Sequence, residues 1–334
     1  MSGEQTLIPE QGRQDEPQPA RRVPDFFIVG QPKCGTTALG EILRSHPQIF
    51  MPANKEPWYF ASELHERTPP RPEGTPETLD EYLDLFEGAA SEQRAGEATV
   101  LYLWSRTAAK AIAAVQPEAR IIAIVREPAS FLRSLHLQFL QAYVETEPDL
   151  RRALALEDER REGRGIPPNS YWPATLMYSE HVRYVEQLRR FYDVFDAEQI
   201  LVLVYDDFRA DNDAVARQVM RFLDVDDTVA IESGEVNPTV QPRSQRLHEL
   251  FGSLVLGRGA VPSAVKGAVK ALTPAGLRRR ALHATQRHLV FAEPSPADER
   301  LMQELRVRYA GEVRALSEFL GRDLVGQWGY DGLL

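Results

Sequence analysis

The sequence predicts an α/β fold in which helices flank a central parallel sheet, with helical insertions between the repeating units. Two observations carry that expectation. Short, continuous apolar runs recur at 25–30, 120–125 and 200–205, the pattern of strands covered on both faces. Between them lie longer stretches with apolar residues three and four apart, the helical period. Strands that alternate with helices connect in parallel through right-handed crossovers.

In chain order, Asp-Phe-Phe-Ile-Val-Gly at 25–30 forms a buried strand closed by glycine. Ala38, Leu39, Ile42 and Leu43 share one helical face over 36–45, and His46 and Pro47 stop that helix. Residues 69–78 are a proline-rich loop. Alternation over 97–103 predicts a second strand, 108–115 a helix, and 120–125 a third, fully buried strand. A helix over 128–143 has Pro128 in its first turn, a favoured place for proline. The stretch 151–173, charged and then rich in Gly, Pro and Asn, reads as a mobile lid. A helix over 175–192 leads to a fourth buried strand at 200–205, and another helix covers 211–223. Residues 241–290 read as helix punctuated by Pro and Gly, and Ser295 as the N-cap of a last helix that runs to 320.

Composition narrows the function. The 334 residues carry 49 Asp and Glu against 39 Lys and Arg, a net charge of −10, which argues against non-specific nucleic-acid binding. The balance reverses over 243–290, where nine Lys and Arg face one acid; such a segment suits an anionic ligand, and equally a solvated helix face. A single cysteine, Cys34, excludes an internal disulfide and a cysteine-rich zinc site. There is no apolar run of membrane-spanning length and no secretory apolar region in the first residues, so a cytoplasmic protein is expected. Residues 1–23 read as a disordered tail, 24–328 as a single domain and 329–334 as a second tail.

The most informative residues are Gly30-Gln-Pro-Lys-Cys-Gly-Thr-Thr37, where a buried strand turns into a helix. There the first helical N–H groups are unsatisfied and the helix dipole favours an anion. Gly30 and Gly35 permit a tight turn, Lys33 supplies charge, and Thr36 and Thr37 supply hydroxyls. The two glycines have the spacing of the nucleoside-triphosphate loop, but Thr36 stands where that loop has lysine. Such a loop suits a diphosphate-like group with no obligatory metal. The histidines show no metal-binding pair, so no metal is expected.

Pro32-Lys-Cys-Gly-Thr-Thr37 behind a Phe-Ile-Val-Gly strand resembles the 5′-phosphosulfate loop of sulfotransferases that use 3′-phosphoadenosine 5′-phosphosulfate. Ser45-His-Pro47 and Lys55-Glu-Pro-Trp-Tyr-Phe60 are similar to that family's continuation. A second motif follows in the expected order: Ile124-Val-Arg-Glu-Pro128, with Ser134 eight residues after Arg126. Stretches 96–102, 200–209 and 237–244 are family-like too, so the resemblance covers most of 24–328. It points to the bacterial and the carbohydrate and heparan sulfate branches, and implies a P-loop-type three-layer sandwich.

The resemblance implies that Lys33, Cys34, Gly35, Thr36 and Thr37 hold the 5′-phosphosulfate and that Arg126 and Ser134 hold the 3′-phosphate. Tyr205 and Arg243 complete the nucleotide contacts it implies. The donor would be the co-substrate and 3′-phosphoadenosine 5′-phosphate the product. Lys33 would neutralise the departing oxygen. A neutral acceptor must lose a proton, and the candidate bases are Glu56, then Glu97, then His136. Carbohydrate sulfotransferases often carry a lysine where this chain has Ala98, which weakens the case for a polysaccharide acceptor. Cys34 reads as a small packing residue. The acceptor expected is a small natural product, a glycan or a lipid-linked acceptor such as a glycolipid, and segment 243–290 is expected to close the nucleotide pocket or touch an anionic membrane. The competing readings are a P-loop kinase and a nucleotide-binding module without chemistry. Oligomeric state stays open.

Overall fold

The computed structural model describes residues 21–64, 75–170, 172–231, 241–242, 291–292 and 296–333. The expected tail lies outside them up to residue 20, as do part of the loop at 69–78 and the whole basic segment 243–290 with Arg243.

Five strands form one all-parallel sheet: β1 (Phe26–Gly30), β2 (Ile49–Phe50), β3 (Arg94–Ala98), β4 (Arg120–Val125) and β5 (Ile200–Val204), in the order β2-β3-β1-β4-β5. Every residue of β1 is buried, and β4 is buried from Ile121 onward, as the unbroken apolar runs require. The helices that flank and extend this sheet are α1 (Thr36–Arg44), α2 (Leu79–Asp84), α3 (Ala108–Val115), α4 (Pro128–Gln141), α5 (Leu150–Ala155), α6 (Glu157–Arg161), α7 (Tyr178–His181), α8 (Tyr184–Tyr192), α9 (Tyr205–Ala210), α10 (Asn212–Phe222), α11 (Glu299–Leu320) and α12 (Leu324–Trp328). A two-residue antiparallel pair joins 241–242 to 291–292. β1 is central, with β3 on one side and β4 on the other. The carboxyl ends of these three strands therefore open on one crevice, the usual ligand site of such sheets.

Several expected elements shift. The second strand is Arg94–Ala98, not 97–103. Past Ala98 the chain stays buried but curls into turns: Thr99 N–H bonds the Ile28 carbonyl at 3.1 Å and Leu103 N–H the Val29 carbonyl at 2.7 Å. Apolar residues continue through that turn, so the pattern overshoots the strand end. The helix expected at 175–192 is broken into a 3-10 turn, α7 and α8. Side chains take over there: His181 Nε2 meets the Thr175 carbonyl at 2.8 Å, and Gln187 Nε2 donates to the Glu180 carbonyl at 2.8 Å.

The stretch 151–173 is not uniformly solvated. Arg160 donates to both oxygens of Glu145 at 2.8 Å, both side chains are buried, and Tyr178 OH adds a bond to Glu145 at 3.0 Å. Charge in the sequence is thus internal pairing here. α9 was not foreseen. Asp298, rather than Ser295, caps α11, accepting from the N–H groups of Arg300 at 3.0 Å and Leu301 at 3.1 Å; Ser295 is outside the described residues. No helix among the described residues is long and apolar enough to cross a membrane.

Candidate active site

The loop after β1 leaves from the centre of the crevice. A Cβ at Gly30 would lie 2.7 Å from the Val100 carbonyl oxygen and 2.8 Å from Leu103 Cβ, because the turn after β3 packs against the loop. Gly35 has φ 81° and is the N-cap of α1; a Cβ there would meet the Phe208 ring of α9 at 2.8 Å. No side chain caps α1, which leaves its first-turn N–H groups to an outside acceptor.

Lys33 sits at φ 61° in the middle of the turn, and its Nζ donates to Gln138 Oε1 at 3.1 Å. Arg126, one residue past β4, reaches the same loop. Its Nη1 donates to the Lys33 carbonyl at 2.9 Å, its Nε donates to Ser130 Oγ at 3.1 Å, and its guanidinium lies 4.5 Å from the centre of the Tyr205 ring. Tyr184 OH donates to the Arg126 carbonyl at 2.8 Å and fixes its backbone. Ser130, Ser134 and Gln138 are four apart and so share a face of α4. On that face Ser134 Oγ is buried without a hydrogen-bond partner. Burial, reinforced by the Arg126 charge, lowers the proton affinity of Lys33. Cys34 is fully buried, and burial pushes its thiol up to about 12; it is a packed thiol, not a thiolate.

A cleft opens on the other flank of α1, lined by Thr36, Thr37, Lys55, Glu56, Glu97 and Ala98 among others. Glu56 and Trp58 both have positive φ, 54° and 51°, and Trp58 Nε1 donates to Glu56 Oε2 at 3.2 Å. Burial raises the Glu56 carboxyl above its ordinary range. The Trp58 ring stands edge-on to Trp172 at 4.7 Å. Glu97, 1% exposed at the end of β3, accepts from Tyr82 OH at 2.8 Å, Tyr102 OH at 3.1 Å and Thr99 Oγ1 at 2.6 Å. Burial pushes its carboxyl up to about 7 against those hydrogen bonds, and the Glu56 charge adds to the rise. At the rim, Glu41 Oε1 accepts from Lys55 Nζ and Arg44 Nη1, each at 2.8 Å.

The structure therefore gathers Lys33, Cys34, Gly35, Thr36, Arg126 and Tyr205 around the loop, with Ser134 on the facing helix surface. Thr36, Thr37, Glu56 and Glu97 share the adjoining cleft. His136 is not brought there. Two residues beyond Ser134 it points to the opposite side of α4, where its Nε2 meets the Glu147 carbonyl at 2.8 Å. Gln138 and Tyr184 went unforeseen. For Gln138 the four-residue spacing from Ser134 was the available signal. Among the described residues no three His, Cys, Asp or Glu side chains are grouped to hold a metal ion.

Residues 23–246 match the family described as sulfotransferase domain. Human carbohydrate sulfotransferase 15 is 27% identical over 258 residues, which cover 61% of this chain and 44% of that protein. Human heparan sulfate glucosamine 3-O-sulfotransferase 6 is 32% identical over 166 residues, 48% of this chain and 42% of the relative. The chain thus matches less than half the length of these curated relatives. Among solved structures, a sulfotransferase from Alicyclobacillus acidocaldarius superposes with a TM-score of 0.57 at 30% identity, covering 69% of this chain and 91% of the other.

Proposed function

The chain belongs to the sulfotransferase domain family, and on that premise we propose that it transfers a sulfuryl group from 3′-phosphoadenosine 5′-phosphosulfate to a hydroxyl, or an amine, of an acceptor. The observation that carries this reading is the meeting of Arg126 with the loop, Nη1 on the Lys33 carbonyl at 2.9 Å and Nε on Ser130 Oγ, with the unpartnered hydroxyl of buried Ser134 one helical turn past Ser130. The unpartnered Ser134 hydroxyl and the uncapped α1 N–H groups suit a ligand with phosphate at both ends. The α1 N–H groups, Thr36 and Thr37 hold the 5′-phosphate, and Arg126 with Ser134 holds the 3′-phosphate.

Transfer is an in-line displacement in which positioning and charge stabilisation do most of the work. Glu56 takes the proton from the acceptor as the acceptor oxygen bonds to sulfur. Lys33 offsets the charge that builds on the 5′-phosphate oxygen as its bond to sulfur breaks, and 3′-phosphoadenosine 5′-phosphate leaves. Raised by burial, Glu56 is better matched to a base role near neutral pH than an ordinary carboxylate. Although Ala98 stands where carbohydrate sulfotransferases often carry lysine, Trp58 beside Glu56 and the carbohydrate acceptors named in two relatives favour a glycan over a glycolipid or small natural product.

Calorimetric titration tests the donor site. The expected result is tight binding of 3′-phosphoadenosine 5′-phosphate without magnesium, weakened most by Arg126→Ala, with Lys33→Ala costing turnover more than affinity. Binding of magnesium ATP alone overturns the reading in favour of a kinase-like site.

A further inference from the structure

The family match ends at residue 246, yet residues 299–333 return to the donor side of the crevice. α11 runs along α4 and α8. Gly321, at φ 59°, then turns the chain into α12, and Gly329, at φ 72°, turns it again, which leaves Tyr330 fully buried. Side chains of this terminal turn end on three carboxylates. Tyr330 OH donates to Glu127 Oε1. Trp328 Nε1 donates to Asp206 Oδ2 at 2.9 Å. Arg322 grips Asp207 at 2.6 and 2.8 Å, with Gln327 Nε2 adding a bond at 3.1 Å.

Two of these carboxylates adjoin the groups that frame the donor site. Glu127 follows Arg126 and caps α4, accepting from the N–H groups of Ala129 at 3.1 Å and Ser130 at 2.7 Å. The Ser130 hydroxyl in turn receives Arg126 Nε. Asp206 follows Tyr205, whose ring lies against the Arg126 guanidinium. Burial and the Glu127 charge keep the Tyr330 hydroxyl protonated, so it remains a donor. Phenylalanine would fill the space of Tyr330 as well as tyrosine does; the polar atom is spent on the carboxylate that sets the start of α4.

We infer that Tyr330 and Trp328 are positioning residues for the 3′-phosphate, fixing Glu127 and Asp206 and through them the arginine and the ring it stacks on. This rests on the assignment of Arg126 to the 3′-phosphate made above. An arginine held on both sides loses little conformational freedom when its ligand arrives, so the terminal turn contributes affinity without touching the nucleotide.

The test compares two nucleotides on the full chain: 3′-phosphoadenosine 5′-phosphate and adenosine 5′-phosphate, which lacks the 3′ group. In Tyr330→Phe and in Trp328→Phe, the dissociation constant of the bisphosphate is expected to rise about 5- to 10-fold, while that of the monophosphate changes less than about twofold. In an Arg126→Ala background, Tyr330→Phe should add nothing. Equal weakening of both nucleotides, or no weakening of either, overturns the inference while leaving the donor site standing. A wild-type protein that binds the two equally well overturns the donor-site assignment and the inference with it. Should either variant fail to fold, Asp206→Ala, which removes the acceptor of Trp328 Nε1, gives the comparison for the ring side of Arg126, and an equal or absent effect on the two nucleotides overturns the inference there.

Discussion

On the proposed donor side of Lys33 the site is made of backbone and regular helix spacing; on the proposed acceptor side it is made of side chains set on irregular chain. The loop after β1, Arg126 after β4 and the Ser130, Ser134 and Gln138 face of α4 all follow from strand ends and a four-residue repeat. Glu56 and Trp58, like Lys33 at the boundary, occupy left-handed backbone, unusual for residues with a Cβ, and Glu97 is held by three hydroxyls from outside its strand. A surface fixed by the fold cannot be changed without disturbing the sheet, whereas one fixed by a few local conformations can be rebuilt on the same sheet.

The largest effect should separate the two sides outright. Glu56→Gln removes the proposed base and leaves the proposed donor contacts alone, so turnover should fall about 10²- to 10⁴-fold with little change in nucleotide affinity. The wild-type rate should rise with pH through the raised Glu56 carboxyl and fall on the alkaline side as Lys33, whose proton affinity burial lowers, loses its charge. The variant should lose the acid limb alone. A parallel loss of nucleotide binding in Glu56→Gln would break the division between the two sides.

Glu97 sharpens the comparison from within the acceptor side. Its carboxyl sits at about 7 in the folded protein, above the value near 4.3 of an unfolded chain. Across that window the folded state keeps a proton that the unfolded state has lost, so this group makes stability fall as pH rises from about 4.3 to 7. Glu97→Gln should therefore gain on the wild type over the same window, by on the order of 3 kcal/mol. His181, which burial lowers to about 4, has the opposite slope in both proteins and cancels in the difference. Urea unfolding at pH 5 and pH 7.5 measures it. A constant difference would mean that Glu97 is ionised throughout and competes with Glu56 for the role of base.

The same contrast governs what the sequence made legible. The strand-to-helix turn after β1, β4 and the α1 and α3 boundaries could be read because local pattern and final structure agree there. Misreadings occur where side chains replace backbone bonds or where burial continues through a turn. Val100 to Leu103 stay buried past the end of β3, where the Val100 carbonyl and the Leu103 side chain lie against Gly30. His181 and Gln187 satisfy carbonyls where the helix expected at 175–192 breaks. Arg160 lies in the stretch read as a mobile lid and is in a buried pair with Glu145. None of these has a periodic signature, since each depends on a partner at least six residues away. The terminal turn was invisible for the same reason: Trp328 and Tyr330 bond residues more than a hundred positions earlier.

His136 gives the smallest expected effect and the cleanest check on helix geometry. It lies two residues past Ser134, about 200° around α4, so a side chain on the donor face and one at this position cannot serve the same ligand. Its ring lies among buried groups, edge-on to Tyr178 at 5.9 Å, with Nε2 on the Glu147 carbonyl, and burial lowers its proton affinity. The bond ties the second half of α4 to the chain that follows it. His136→Gln keeps a donor of similar reach, so stability should fall by about 1 kcal/mol, with turnover and nucleotide affinity each changed by less than about twofold if only that bond is weakened. A tenfold or larger loss of turnover at unchanged stability would instead place this histidine at the acceptor, and would require α4 to present both faces to the reaction.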